Sequence, residues 1–350
     1  MASIHETLKE GDQVWRFNSC FPWSFHPAAP SRRFRLPRTM ERRVHVHRGD
    51  PPIPPMTPQP DDPVRLDVRP EGLSAGLRFT LIGRPLLWSA VQATRLFLKT
   101  PDARRRSRLQ RAISSALLKH LQVQLDVQGL EHLGPGPFLI VALHEGIADV
   151  LCLLQLPFPM RFVARREIFR WPSLGPLITR LGHVAIDPEA QMGGFRELLR
   201  AAERILGSGE SLAVFPQGAV AGIESDFQRG VFEVAKRLGV SILPVALSGS
   251  HRVWEHPFSP TLRYGQRVTL QVLPPIPPDV FETESVDAVR VRVRRAMKTA
   301  ALLPGAAPPR HFDPDRDGYW DGYRLDIDPD FSAVAQQIAR HRAALLGGTA

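Results

Sequence analysis

Four short stretches of this sequence carry side chains that can do chemistry. The first is LHEGIAD, Leu143 to Asp149, which directly follows the apolar run FLIVAL. His144 is a candidate general base, because imidazole titrates near neutral pH. Asp149 is its candidate partner. A carboxylate bound to one ring nitrogen fixes the tautomer and stabilises the imidazolium formed when the other nitrogen takes a proton. Four residues separate the two, a spacing that would rotate their side chains apart on a regular helix. At a strand-to-helix turn they can converge, with His144 on the loop and Asp149 in the first helical turn. The same pair can also do no more than cap that helix. HEGIA lacks the second His of H-E-x-x-H, so a zinc protease site is not expected.

The second stretch, FVARREIFRWPSLGPLITRLGHVAID (162–187), offers Arg165, Arg166 and Arg170 near a strand end. The third is VFPQGAVAG (214–222), a strand closed by Phe215, Pro216, Gln217 and Gly218. Gly218 permits close backbone approach, and its N–H is a candidate donor to an anion or oxyanion. The fourth is ILPVALSGS (242–250), where Pro244 is expected to interrupt a buried strand. Each stretch stands at the end of an apolar run, where open α/β sheets place their ligand sites. No Ser or Cys sits in a nucleophile elbow, so a covalent route through the enzyme is not expected. Neither a metal nor a cofactor is called for.

The elements that must position these residues alternate between strand and helix patterns. FLIVAL, RFVA, HVAID, SLAVF and SILPVAL are short continuous apolar runs, as strands buried on both faces require. LQVQLDVQ alternates strictly, with Val123, Leu125 and Val127 on one side, and reads as a half-exposed edge strand. Helical patterns fill 195–206, 231–238 and 286–302, and GQRVTLQVL is one more strand. The expected fold class is α/β, a mostly parallel sheet flanked by helices. A helical segment is expected to precede it over residues 73–120, either an amphipathic membrane-binding pair or ordinary core helices. In its second half Leu109, Ala112, Ile113, Ala116, Leu117 and Leu121 follow helical spacing, so one face is apolar and one end strongly basic. The arginines from Arg104 to Arg111 should form a solvated basic end, attractive to anionic headgroups.

Three regions are expected. Residues 1–72 are rich in Pro and Arg, including SRRFRLPRTMERR and PPIPPMTPQP, and should be disordered. Residues 73–305 hold the catalytic domain with its interfacial helices. Residues 306–350 are an acidic, aromatic tail on the surface. In that tail Asp313, Asp315, Asp317 and Gly318 open like a calcium loop, but Arg324 stands where the bidentate Glu is needed, so calcium is not expected.

Forty-five Lys+Arg against 35 Asp+Glu give a net charge of +10, which favours anionic partners. The basic runs lack interleaved aromatics, so nucleic acid is not one of them. Two cysteines rule out a disulfide framework. No secretory leader is expected at the N-terminus, and no segment offers the ~18 uninterrupted apolar residues of a membrane span. Leu77 to Leu98 is the nearest, broken by Arg78, Arg84, Pro85 and Arg95. Such a segment suits a helix lying in the interface, although an ordinary core helix has the same pattern.

Taken in order, the four stretches resemble the motifs of the glycerolipid acyltransferase family, the lysophosphatidic acid acyltransferase type. His144 and Asp149 match its N-H-x-x-x-x-D, with Leu143 in place of the Asn. Residues 162–187 follow its second block, FPQG its F-P-E-G, and FQRGVFEVAKRLGVSILPVALSGS the stretch entering its fourth motif. The resemblance covers roughly residues 75–275.

It implies a His144–Asp149 catalytic pair and a substrate site drawn from Arg165, Arg166, Phe215, Pro216, Gln217, Gly218 and Pro244. The implied donor is acyl-CoA or acyl-carrier protein, and the acceptor a lysolipid hydroxyl, foremost that of 1-acylglycerol-3-phosphate. The implied place of work is an anionic membrane surface, peripherally on its cytoplasmic face. Gln217 and Val220 stand where the family carries Glu and Arg, and Pro188 where an Arg commonly follows I-D. Two cations expected to face a phosphate are therefore missing. An acceptor without phosphate, or water in a hydrolase, would use the same pair. A basic membrane-binding protein without catalysis would need neither His144 nor Asp149.

Overall fold

The computed structural model describes residues 68–97, 102–171, 174–187, 192–220, 222–255, 261–312 and 326–345. Most of the Pro/Arg-rich N-terminal region, the calcium-like stretch 313–325 and Pro188 lie outside the described residues.

The first strands are β1 (Arg69–Pro70), β2 (Gln124–Gln128), β3 (Leu139–Ala142), β4 (Met160–Arg165) and β5 (Val184–Ile186). The later ones are β6 (Ser211–Val214), β7 (Ile242–Ser248), β8 (Thr261–Leu262) and β9 (Arg267–Val272). Seven of them form one sheet in the order β2–β9–β7–β3–β6–β4–β5. All neighbours are parallel except β7 and β9, so the sheet is mostly parallel, as the alternating pattern predicts. β1 and β8 form a separate two-stranded ribbon, and Val68 beside it is buried. Residues 68–72, within the region expected to be disordered, thus take part in the fold.

The helices are α1 (Leu73–Arg78), which runs through a π-helical turn at Phe79–Gly83 into α2 (Arg84–Phe97), then α3 (Ala103–His120) and α4 (Ala148–Leu153). They continue with α5 (Leu174–Arg180), α6 (Met192–Gly207), α7 (Arg229–Leu238), α8 (Val280–Thr283), α9 (Val286–Ala301) and α10 (Ser332–Leu345).

Successive strand residues face opposite sides of a sheet, and β3 shows the consequence. Leu139, Val141 and Leu143 pack with α6, α7 and α9 on one face. Ile140 and Ala142 pack with Phe79, Leu118, Cys152 and Leu153 on the other. Both faces are covered, which is why the strand is apolar without alternation. β2 lies at the sheet edge and is half-buried, as its alternation predicts.

Three expectations need correction. Pro244 does not interrupt its strand: β7 runs through it, with Pro244 buried opposite Val141. The missing N–H is tolerated because Pro244 lies just outside the β7–β9 ladder, whose last pair is Val245↔Val272, and only its carbonyl is used, accepting the Leu273 N–H at 3.0 Å.

Helix α3 also has its basic end turned partly inward. Its buried positions are Arg106, Gln110, Ser114 and Leu118, whereas Ala112 is exposed and Leu109, Ile113 and Leu117 are only half-buried. The polar stripe is buried because it meets polar partners. Arg106 donates to Glu210 at 2.7 Å, and Arg161 donates to the same oxygen at 2.5 Å. Ser114 donates to the Leu151 carbonyl at 2.5 Å, and Arg111 to the Leu156 carbonyl. Arg104, Arg105 and Arg108 remain on the surface, so the basic end is smaller than expected. His183 sits beside this network, and burial, then Arg161 and Arg106, push its pKa down to about 3. Its neutral Nδ1 accepts the Phe162 N–H at 3.1 Å.

The third correction is the C-terminal tail. Ala307, Arg310 and Phe312 are buried against the core. Residues 326–330 return to it through Asp328, held by Lys298 at 2.7 Å and Arg294 at 2.8 Å.

Burial alone would raise the Glu210 carboxyl, but hydrogen bonds from Arg161 and Arg106 outweigh it and hold the group below its ordinary value. Glu210→Gln would leave two guanidinium groups without their anion, at an expected cost of about 3–5 kcal/mol. A group with a lowered folded pKa contributes stability above its unfolded pKa and loses it as the pH falls through the folded value. Urea denaturation should therefore separate the variant from the parent at neutral pH, and the two should converge below the ordinary carboxylate range. Equal midpoints at neutral pH would show the network to be dispensable.

Candidate active site

β3, β4, β6 and β7 run in the same direction, so their C-terminal ends lie along one edge of the sheet. β3 is flanked by β6 and β7. The loop leaving β3 is therefore bounded by the turn after β6, FPQG, on one side and the turn after β7, SGSH, on the other.

His144 is on that loop and Asp149 is in the first turn of α4. His144 Nδ1 is 2.7 Å from Asp149 Oδ2. The same oxygen accepts the backbone N–H groups of Glu145 at 2.7 Å and Gly146 at 3.0 Å. The other oxygen accepts the Ser250 hydroxyl. Asp149 is fully buried, and these donors satisfy a carboxylate that has no water to turn to. With a carboxylate facing Nδ1, the proton of the neutral ring sits on Nδ1 and leaves the Nε2 lone pair free. No described residue hydrogen-bonds Nε2, and the His144 side chain is 22% exposed. This arrangement can take a proton at Nε2 while Asp149 steadies the charge that forms.

The turn after β6 braces the ring. Phe215 stacks on His144 with centroids 4.0 Å apart and planes at 16°. Gln217, 5% exposed, accepts the His144 backbone N–H at 2.8 Å and donates its amide to the Gly222 carbonyl at 2.7 Å. Its functional atoms are spent within the protein, and a Glu there has no hydrogen to give the Gly222 carbonyl. Pro216 is buried, and its carbonyl accepts the Gln228 N–H at 2.7 Å. The Gly218 N–H closes the turn on the Phe215 carbonyl at 3.1 Å, at a positive φ of 76°. The expectation that this N–H faces an oxyanion is thereby overturned.

Arg165 and Arg166 stand at the end of β4, on the same sheet edge but with β6 between them and the His144 loop. Arg165 is 3.6 Å from Glu167, and Arg166 bridges both oxygens of Glu197 at 2.8 Å. Pro244 lies inside β7, below the strand ends, and offers a substrate no surface. Val220 is buried as well. Among the described residues no group of three or more His, Cys, Asp or Glu could hold a metal ion.

Ser250 was not singled out in the sequence. Its signal is a hydroxyl directly beyond the strand that neighbours the His-bearing strand. Glu145 and His251 were missed too: Glu145 is 3% exposed, and its Oε2 lies 3.1 Å from His251 Nδ1.

The Acyltransferase family model matches residues 124–248. A 1-acyl-sn-glycerol-3-phosphate acyltransferase of Chlamydomonas reinhardtii is 29% identical over 185 residues, covering 50% of this chain and 53% of that protein. The human alpha form of that enzyme is 28% identical over 181 residues, covering 51% and 63%. The chloroplastic LPAT1 of Arabidopsis thaliana is 28% identical over 137 residues, covering 37% of each. The chain thus spans about half the length of the curated relatives it matches. The crystal structure of PlsC, the 1-acyl-sn-glycerophosphate acyltransferase of Thermotoga maritima, superposes with a TM-score of 0.52 at 21% identity, covering 65% of this chain and 95% of that one, which establishes a shared fold. The matched segment contains β2 to β7, the His144–Asp149 pair and the brace around it, so the similarity to the acyltransferase family falls on the site itself.

Proposed function

We propose that this protein transfers a fatty acyl group from a thioester, acyl-CoA or acyl-carrier protein, to the hydroxyl of a lysolipid, with 1-acylglycerol-3-phosphate the foremost acceptor. The observation that carries the reading is the 2.7 Å contact between His144 and a fully buried Asp149 at the end of β3, inside the family-matched segment. His144 Nε2 removes the acceptor's hydroxyl proton, and the alkoxide oxygen attacks the thioester carbonyl. The tetrahedral intermediate expels the thiolate, which takes the proton from the imidazolium. Asp149 stabilises that imidazolium, and Phe215 and Gln217 hold the ring and its loop in line. Arg165 and Arg166 are assigned to the anionic part of the substrates.

The surface of α1 and α2 supports work at a membrane. Leu73, Leu77 and Leu81 recur every four residues and are exposed, as are Ile82, Trp88 and Leu96. Exposed apolar groups in one place mark an interaction surface, and Arg78 and Arg95 beside them are exposed too. No helix among the described residues is long and apolar enough to cross a membrane. We assign this face to the interface of an anionic bilayer, reached from the cytoplasmic side.

His144→Ala should lower thiol release in the presence of acceptor by about 10²–10⁴-fold while the protein stays folded. Asp149→Asn should also slow turnover, because an amide cannot stabilise an imidazolium in the same way. Near-normal rates in the His144 variant would refute the mechanism.

The triple variant Leu77→Gln, Leu81→Gln, Trp88→Ala should lose at least about tenfold in sedimentation with anionic vesicles, since each apolar side chain contributes on the order of 1 kcal/mol or more. Added salt should weaken only the cationic share. Undiminished binding would move the membrane face elsewhere.

Val220 cannot supply the phosphate contact that an Arg would make, and Gln217 has no free hydrogen-bonding atom to replace it. A charge-assisted hydrogen bond contributes roughly 1.5–3 kcal/mol. The preference in kcat/KM for lysophosphatidic acid over a zwitterionic or uncharged hydroxyl lipid should therefore stay under about tenfold. A side-by-side acceptor panel with one donor measures it. A preference of about a thousandfold or more would show that another cation has taken the place of the missing Arg.

A further inference from the structure

The carboxylate of Glu145 is where three separate parts of the chain meet. Glu145 follows His144, and its own N–H donates to Asp149 Oδ2 at 2.7 Å. Its side chain is buried, with Oε2 3.1 Å from His251 Nδ1 and Oε1 accepting the Arg310 backbone N–H at 2.9 Å. His251 adjoins Ser250, whose hydroxyl reaches the other oxygen of Asp149. The β3 exit and the β7 exit are thus joined twice, once through Asp149 and once through Glu145.

The third part is the C-terminal segment 307–312. The Arg310 carbonyl accepts the Ile223 N–H at 2.8 Å, and its buried guanidinium donates to buried Glu255 at 2.6 Å. The Phe312 N–H donates to Glu224 at 2.8 Å. Arg310 therefore lies between the His144 loop and the chain that follows FPQG. There is no slack on the β7 side either: a Cβ on Gly146 would run into the Trp254 carbonyl. His251, Glu255 and Arg310 all fall outside the segment that matches the family.

Burying a carboxylate is costly unless donors compensate. Burial pushes the Glu145 carboxyl up, and the His251 contact and the Arg310 N–H work against that rise. A costly group placed one residue from a proposed base, touching no open surface, is suited to hold that base rather than to bind substrate.

We propose that Glu145 is a positioning residue for the His144–Asp149 pair, and that the C-terminal segment 307–312 is, through its Arg310 N–H, a working part of the active site. The inference rests on His144 being the base. It means that the family-matched segment is catalytically incomplete without chain that lies more than fifty residues beyond it.

The test uses the full chain with palmitoyl-CoA and lysophosphatidic acid, following thiol release for Glu145→Ala, Glu145→Gln and, alongside them, His144→Ala. Glu145→Ala should lower kcat by about 10–100-fold, with KM for both substrates within about threefold of the parent. Glu145→Gln should lose less, because its amide oxygen still accepts the Arg310 N–H. A purely structural role predicts instead a loss that matches the unfolded fraction seen by circular dichroism, and that result would overturn the proposal. So would kcat within about twofold of the parent in both Glu145 variants, or a rise in KM at unchanged kcat. If the Ala variant does not fold, the isosteric Gln variant decides by the same criteria. Full turnover in His144→Ala would instead sink the base assignment itself, whereas an inactive His144→Ala beside normal Glu145 variants would sink only the positioning role.

Discussion

A buried carboxylate with no access to water must find every one of its hydrogen-bond donors inside the protein, and Asp149 is under that constraint. Its donors come from the His144 ring, two successive backbone amides of the β3 exit and a hydroxyl beyond β7. These groups can converge only if β3 and β7 are adjacent and parallel, ending at the same edge of the sheet. The strand order and the right register of Leu139↔Ile242 through Ala142↔Val245 are therefore conditions for the site, not a background to it. The β6 neighbour supplies the remaining brace through Phe215 and Gln217.

The same requirement, that buried charge be matched, shapes the molecule away from the site. Helix α3 puts Arg106 inward because Glu210 is buried opposite it, and its aliphatic face is left half-covered. That face, with the exposed leucines of α1 and α2, leaves apolar surface at the N-terminal side of the domain. In α9, Arg294 and Lys298 are buried to meet Asp328 and Asp226, which draws the last described residues back onto the core. In α3 the charge pair turns a polar stripe inward, whereas in α9 the buried cations lie beside an apolar face, Val289, Val293 and Met297, that is buried as hydrophobic spacing predicts.

Replacing a family Glu by Gln217 changes what the third motif can do. An amide both accepts and donates, so Gln217 ties the His144 amide to the Gly222 carbonyl in one span. With Val220 buried two residues before it, Gly222 lies beneath the C-terminal segment, where a side chain would meet the Phe312 amide. The third motif here is built to support the loop that carries His144, and the C-terminal segment is packed on top of it.

Sequence alone determined the order and kind of the elements, because parallel strands buried on both faces must be apolar throughout, and the runs around FLIVAL and SILPVAL satisfy that. It also placed His144 and Asp149 at a strand-to-helix turn, where a loop residue and one in the first helical turn can converge. The parallel character of the sheet followed from the strand–helix alternation. What the tertiary structure decided were the partners distant in the chain. Ser250 meets Asp149 across 101 residues, and the Arg310 N–H meets Glu145 across 165. No local pattern encodes such pairs, because each depends on which strand ends become neighbours. The inward turn of Arg106, the continuity of β7 through Pro244 and the use of the Gly218 N–H within its own turn were hidden for the same reason. Propensity and spacing describe a residue's neighbours along the chain, whereas the fate of a polar group is settled by what stands opposite it once the chain is folded.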